Sequence, residues 1–189
     1  MGSLSGRSVA PQKATAAGVG FVSGSAESLP VMDCSVDLVW CRDVLIHVPE
    51  PAAAYAEFCR VLKVGGRALV YQMFATELLE PAERRFLVGA MGISEPAADI
   101  ATTDAAIAAS GLRVLQTFEI GSEWGEYAQE RTGKPGRNLL RAARLRRHAE
   151  EYIARYGQRG YDTMLGDCLW YVSAMIGKLT RRAVLLAKP

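Results

Sequence analysis

Two histidines and four cysteines in 189 residues leave little material for a transition-metal centre. Cys34, Cys41, Cys59 and Cys168 form no Cys-x-x-Cys pair, so the spacing of a zinc site is missing and no metal ligands are expected. Thiols scattered in this way fit reduced cysteines in a cytoplasm. Long apolar runs are also missing. Arg182–Lys188 is among the longest, far short of the roughly 20 residues that span a bilayer, so no membrane partner is expected. The opening Met-Gly-Ser-Leu-Ser-Gly-Arg has no apolar segment behind a basic one, and Gly6 stands where a myristoylation signal needs a hydroxyl residue. Neither a secretory leader nor a lipid anchor is expected. With no internal repeat, low-complexity tail or linker, residues 1–189 read as a single domain. The net charge of +2 selects no class of partner.

What is present is ordinary for a globular chain: half the residues are hydrophobic and 22% are charged. Ser8–Ala17 reads as a short helix ended by Gly18, Val19–Val22 as a brief strand, and Ser23–Pro30 as a polar loop. Val36–Cys41 is apolar on both faces after Asp37, the pattern of a buried parallel strand. Pro49 and Pro51 open a helix whose Tyr55, Phe58, Val61 and Leu62 share a face. Lys63-Val-Gly-Gly ends that helix, and Arg67–Met73 is a second strand. Further along, the pattern predicts a helix over Glu77–Ala90, a loop over 91–103, and a helix Asp104–Ser110 capped by Thr103. A strand Leu112–Ile120 and an aromatic connection Gly121–Gly136 follow. Helices Arg137–Tyr156 and Tyr161–Lys178 and a strand Arg182–Lys188 complete the chain. The alternation predicts an α/β domain with a mostly parallel sheet.

Three segments in this order and spacing carry a resemblance. They are Phe21-Val-Ser-Gly-Ser-Ala-Glu-Ser-Leu-Pro, Ser35-Val-Asp-Leu-Val-Trp-Cys-Arg-Asp-Val-Leu-Ile-His-Val, and Glu57-Phe-Cys-Arg-Val-Leu-Lys-Val-Gly-Gly-Arg-Ala-Leu-Val-Tyr. Together they resemble the class I S-adenosylmethionine-dependent methyltransferases, most closely the small-molecule group related to quinone biosynthesis. The resemblance implies a Rossmann-like sheet with helices on both faces and a closing antiparallel strand pair. It also implies S-adenosylmethionine as cofactor and a small, partly apolar acceptor. It places Ser25, Ala26 and Glu27 beside the adenine, with Ser25 where the family usually has an aspartate. It places Cys41 and Arg42 at the sulfonium and amino-acid end, and Tyr71, Met73 and Phe74 along the acceptor edge. For the last three, ordinary core is the equal alternative. Gly65-Gly66 is a structural turn without Gly-x-Gly-x-x-Gly spacing.

The family's glycine-rich loop and the acidic residue that holds the ribose should precede these segments, and neither is found. The expectation is a methyltransferase sheet lacking its first two strands, an N-terminally shortened domain, with Val36–Cys41 as an apolar edge. A homodimer is one way to cover that edge. His47 is a candidate general base, weighed against a locally hydrogen-bonded histidine. Cys41 reads as a small buried hydrophobe rather than a nucleophile. Trp124 and Tyr127 lean towards an acceptor pocket, Trp170 towards core. The basic helix 137–156 reads as a solvated face, helped by an Arg146–Glu150 pair, in preference to a nucleic-acid patch. Two alternatives to the enzyme stay open: a non-catalytic remnant or partner protein that no longer binds the cofactor, and an RNA-associated protein using that helix.

Overall fold

The computed structural model describes residues 18–189; the helix expected at 8–17 lies outside them. The order is β1 (Val36–Arg42), a 3-10 turn at Leu45–His47, α1 (Pro51–Val61), β2 (Leu62–Ala75) and α2 (Pro81–Met91). A second 3-10 turn (Pro96–Ala98), α3 (Ile100–Ala109), β3 (Arg113–Ile120), α4 (Glu123–Thr132), α5 (Lys134–Arg147), α6 (Ala149–Met175) and β4 (Leu179–Ala187) follow. Among the described residues the four strands form one sheet in the order β1-β2-β4-β3. β1 and β2 are parallel, while β4 runs antiparallel to both β2 and β3. The sheet is therefore mixed rather than mostly parallel. The antiparallel half is the expected closing pair, drawn out by the helices α4–α6 between its strands.

Residues opposite one another across the ladders share a face. Cys41, Val70, Val184 and Thr117 lie in one such row, and Arg42, Tyr71, Ala183 and Phe118 in the next. The first face is the core side. Ala68, Val70, Val184 and Leu186 pack there against Tyr55 and Phe58 of α1 and Ala106 and Ile107 of α3. Helix α1 covers this face because Ala54, Tyr55, Phe58 and Val61 recur at helical spacing and are all buried. On the opposite face, at the far end of the strands, Met73 and Leu179 pack with Leu87 of α2 and Ala174 of α6. A third cluster joins Ala142 and Leu145 of α5 to Tyr161, Leu165 and Cys168 of α6.

Several boundaries differ from expectation. Residues 19–22 form no strand: Gly20 makes only a single bridge, and Val19, Phe21 and Val22 are exposed. Strand β1 is not buried on both faces, since Leu38 is 57% and Trp40 67% exposed. It is an edge strand whose second face is open over Leu38 and Trp40. Asp99 rather than Thr103 caps α3, its carboxylate accepting the Thr102 N–H at 2.8 Å, and Thr103 is buried inside the helix. The connection 121–136 holds a helix, α4. The basic helix breaks at His148, which puts Arg146 and Glu150 in different helices, and they form no pair among the described residues. The break expected after Tyr156 is real: Gly157 sits at φ 73, ψ 165, a region open in practice to glycine alone.

Candidate active-site cleft

A strand end is where an α/β sheet exposes backbone and side chains to ligands. β1 ends at Arg42, and the chain turns at Asp43 in a left-handed conformation (φ 53) that aspartate tolerates better than most residues. The Asp43 N–H donates to the Tyr71 carbonyl at 2.9 Å, which fixes this turn on β2. A cavity of about 290 Å³ opens here, lined by Trp40, Cys41, Arg42, Leu69, Tyr71, Ile120, Trp124, Arg181 and Ala183. A second, of about 240 Å³, shares Arg42, Tyr71, Trp124 and Arg181 with it and extends to Asp43, Met73, Lys134, Trp170 and Tyr171. The two form one cleft between the sheet and the α4–α6 layer. Helix α4 roofs it because Gly125 lets its backbone approach Met175 of α6 closely, which sets the adjacent Trp124 over the strand ends.

The cleft joins aromatic walls to positive charge. The Arg42 guanidinium lies 5.6 Å from the Tyr71 ring centroid, and Lys134 Nζ 4.0 Å from that of Tyr171. Trp170 points its indole nitrogen at Met73 Sδ, 3.0 Å away, so it belongs both to the core and to the cleft wall. Burial pushes the Asp43 carboxyl up, opposed by Arg42, Arg181 and His47. Burial likewise raises the Cys41 thiol, which keeps it protonated and inert. Burial also raises the Tyr71 phenol.

Of the residues singled out from sequence, the fold brings Cys41, Arg42, Tyr71, Met73 and Trp124 together in this cleft. It sends others elsewhere. Phe74 alternates to the far side of β2 and is fully buried. Tyr127 stacks on Trp124 at 5.6 Å but faces outward, under Arg131. His47 is exposed, and its Nδ1 is engaged by the Gly92 carbonyl at 2.9 Å, away from the cleft lining. Ser25–Glu27 form a separate turn at the start of α1, where Glu27 accepts the Glu50 N–H at 3.0 Å. Arg181 lies outside the strand expected from sequence, which starts at Arg182, whereas β4 starts three residues earlier, at Leu179. The available signal was the pair Arg181-Arg182 inside a strand, where consecutive residues must face opposite sides. Among the described residues no cluster of His, Cys, Asp and Glu is able to hold a metal.

Known proteins resemble this chain in sequence and in fold. Residues 3–70 match the family described as a methyltransferase domain. Over that stretch the chain is similar to the class I methyltransferases. The ubiquinone/menaquinone biosynthesis C-methyltransferase UbiE of Psychromonas ingrahamii (strain DSM 17664 / CCUG 51855 / 37) is 41% identical over 66 residues, 35% of this chain and 26% of that protein. The chain thus spans about a quarter of the length of the curated relatives it matches. A putative sarcosine dimethylglycine methyltransferase from Galdieria sulphuraria superposes with a TM-score of 0.59 at 18% identity, covering 87% of this chain and 57% of that one. Haemonchus contortus phosphoethanolamine N-methyltransferase 2, solved with S-adenosyl-L-methionine, gives 0.57 at 15%, covering 87% and 36%. These likenesses establish the methyltransferase fold beyond residue 70.

Proposed function

We propose that this methyltransferase domain transfers a methyl group from S-adenosylmethionine to a small, partly apolar acceptor in the cytoplasm. The observation that carries the reading is the cleft at the end of β1, in a chain whose residues 3–70 match a methyltransferase domain. Cys41 and Arg42 would hold the amino-acid end of the cofactor, and Ser25, Ala26 and Glu27 the adenine. Ser25 suits that place in one respect. Its hydroxyl accepts the Glu27 N–H at 3.2 Å and lies 3.3 Å from the Glu27 carboxylate, leaving one lone pair for an amino group. The cofactor supplies a sulfonium methyl group that is displaced directly, so the protein's task is to position and to exclude water. Leu69 and Tyr71 from β2 and Trp124 from α4 would do this, and the protonated Cys41 stays out of the chemistry. Lys134, Trp170 and Tyr171 then line the acceptor's end of the cleft, together with Met73.

Calorimetric titration of the full chain with S-adenosylmethionine and S-adenosylhomocysteine tests the reading. Saturating heat with either ligand supports it. No heat with both leaves the domain a non-catalytic relative and rejects the enzyme.

A further inference from the structure

Arg181 and Arg182 are neighbours on β4 with opposite surroundings. Arg182 is paired twice, with Asp104 at 2.7 Å and Glu119 at 2.6 Å. Arg181 is the more buried residue, 7% exposed, and no carboxylate lies within ion-pair distance of it among the described residues. Among the described residues its side chain makes one hydrogen bond, from Nη1 to the Gly121 carbonyl at 3.3 Å, out of five N–H donors. None of its nitrogens is a buried atom without a partner, so the remaining donors are open to the cleft. Arg181 also lines both lobes of the cleft. Arg42 and Lys134 line the cleft too, so three cations face one carboxylate, Asp43, and that one sits 3.9 Å from Arg42.

We infer that Arg181 is a substrate-binding residue that anchors an anionic group, a carboxylate or a phosphate, carried by an acceptor with an aromatic or apolar body. This rests on the methyltransferase reading and names the class of its acceptor. The guanidinium offers a planar donor pair that matches either oxyanion, and desolvation in the cleft strengthens each bond. Trp124, Trp170, Tyr71 and Tyr171 enclose the body, while Lys134, already over the Tyr171 ring, adds charge from the rim. A neutral acceptor would leave Arg181 buried and unpaired in the bound state, so the cleft discriminates against it.

The chain's three tryptophans, Trp40, Trp124 and Trp170, all line the cleft, so intrinsic fluorescence reports its occupancy without any methyl transfer. Benzoate, phenyl phosphate and benzamide serve as probes: an aromatic ring with a carboxylate, with a phosphate, or with a neutral isostere. At least one anion is expected to bind about tenfold or more tightly than benzamide, the scale of a charged hydrogen bond. The anion that binds more tightly identifies the group. Arg181→Met should abolish the preference, Arg181→Lys should keep part of it, and thermal unfolding of Arg181→Met should be close to that of the parent, because the one hydrogen bond lost, to the Gly121 carbonyl, is long. Equal binding of all three probes, no saturable signal from any, or an anion preference that survives in Arg181→Met would overturn the assignment. So would a loss of thermal stability in Arg181→Met with binding unchanged, which would make Arg181 structural. Absence of cofactor heat in calorimetry sinks the methyl-transfer reading separately and leaves the anion result standing.

Discussion

At the scale of single residues, Arg60 holds the segment that follows the proposed cofactor loop. Its guanidinium pairs with Glu57 at 2.7 Å and Asp33 at 2.5 Å, and donates to the carbonyls of Leu29 and Val31 at 2.9 and 2.8 Å. Glu57 in turn accepts the Leu29 N–H at 2.7 Å, so one ion pair on α1 pins residues 29–33. The Arg60 guanidinium holds the Glu57 carboxyl below its ordinary value of 4.5. Lys178 does the same for Glu83, and the Thr102 backbone N–H does so for Asp99. A carboxyl depressed in the folded state is protonated more readily in the unfolded chain. The stability it contributes is complete above the unfolded value and is lost as pH falls through the folded one. Melting temperature should therefore be flat from about pH 7 to 5 and fall steadily below about pH 4.5. Glu57→Gln should melt lower than the parent at neutral pH and show a shallower acid decline. Parallel acid profiles of the two proteins would show that Glu57 takes no part. On the core side of the same helix, Phe58→Ala should cost about 3–5 kcal/mol in chemical denaturation, since Phe58 is buried between α1 and the sheet.

At the scale of elements, the cleft depends on how α4 docks. A Cβ on Gly125 would come within 2.7 Å of Met175 Cα, a backbone atom that does not swing aside. Gly125→Ala should push α4 off α6, expose Trp124 further and red-shift its emission, with a loss of probe binding in the cleft. The same change at Gly157 meets no atom, and the strain there is in the backbone alone: Gly157→Ala should cost about 1–3 kcal/mol without moving the tryptophan signal. Comparing the two separates a packing role from a conformational one. These elements also show what the sequence discloses. The pattern of β1, α1 and β2 is local, with proline at the helix start and apolar spacing, and it was readable, except that Gly65-Gly66, expected as the turn ending the helix, lies inside β2, which starts at Leu62. Gly157 likewise marked a helix boundary. Helix α4 was hidden because Glu123–Thr132 is polar and aromatic, and it is helical through its docking on α5 and α6 rather than through any apolar stripe of its own. The cleft was half legible: residues at the ends of β1 and β2 follow from strand position, whereas Arg181 and Lys134 enter it from elements more than 60 residues away in sequence, by pairing and packing that no local pattern encodes.

At the scale of the molecule, β1 remains the exposed side. It pairs only with β2 among the described residues, and the face it shares with Leu69, Leu185 and Phe118 presents Leu38 and Trp40 to solvent. Charge protects only its ends, through Asp37 bonded to Lys63 at 2.9 Å and through Arg42. Among the described residues nothing pairs with the outer side of the middle, Leu38-Val-Trp-Cys, which lies beside an apolar surface, the combination that recruits another strand. Copies of the chain are therefore expected to associate through this edge at high concentration. Sedimentation velocity over a dilution series should show a shift from a faster to a slower boundary as the protein is diluted. Leu38→Lys places a charge in the middle of the edge, removes an exposed leucine and touches no core contact. It should weaken association about tenfold or more, the scale set by burying one leucine side chain. A substitution on the covered face, such as Val184→Ala, should lower stability without changing the boundary. If the parent sediments as a single slow species at every concentration, the edge is already protected, and the apolar face of β1 has another cover.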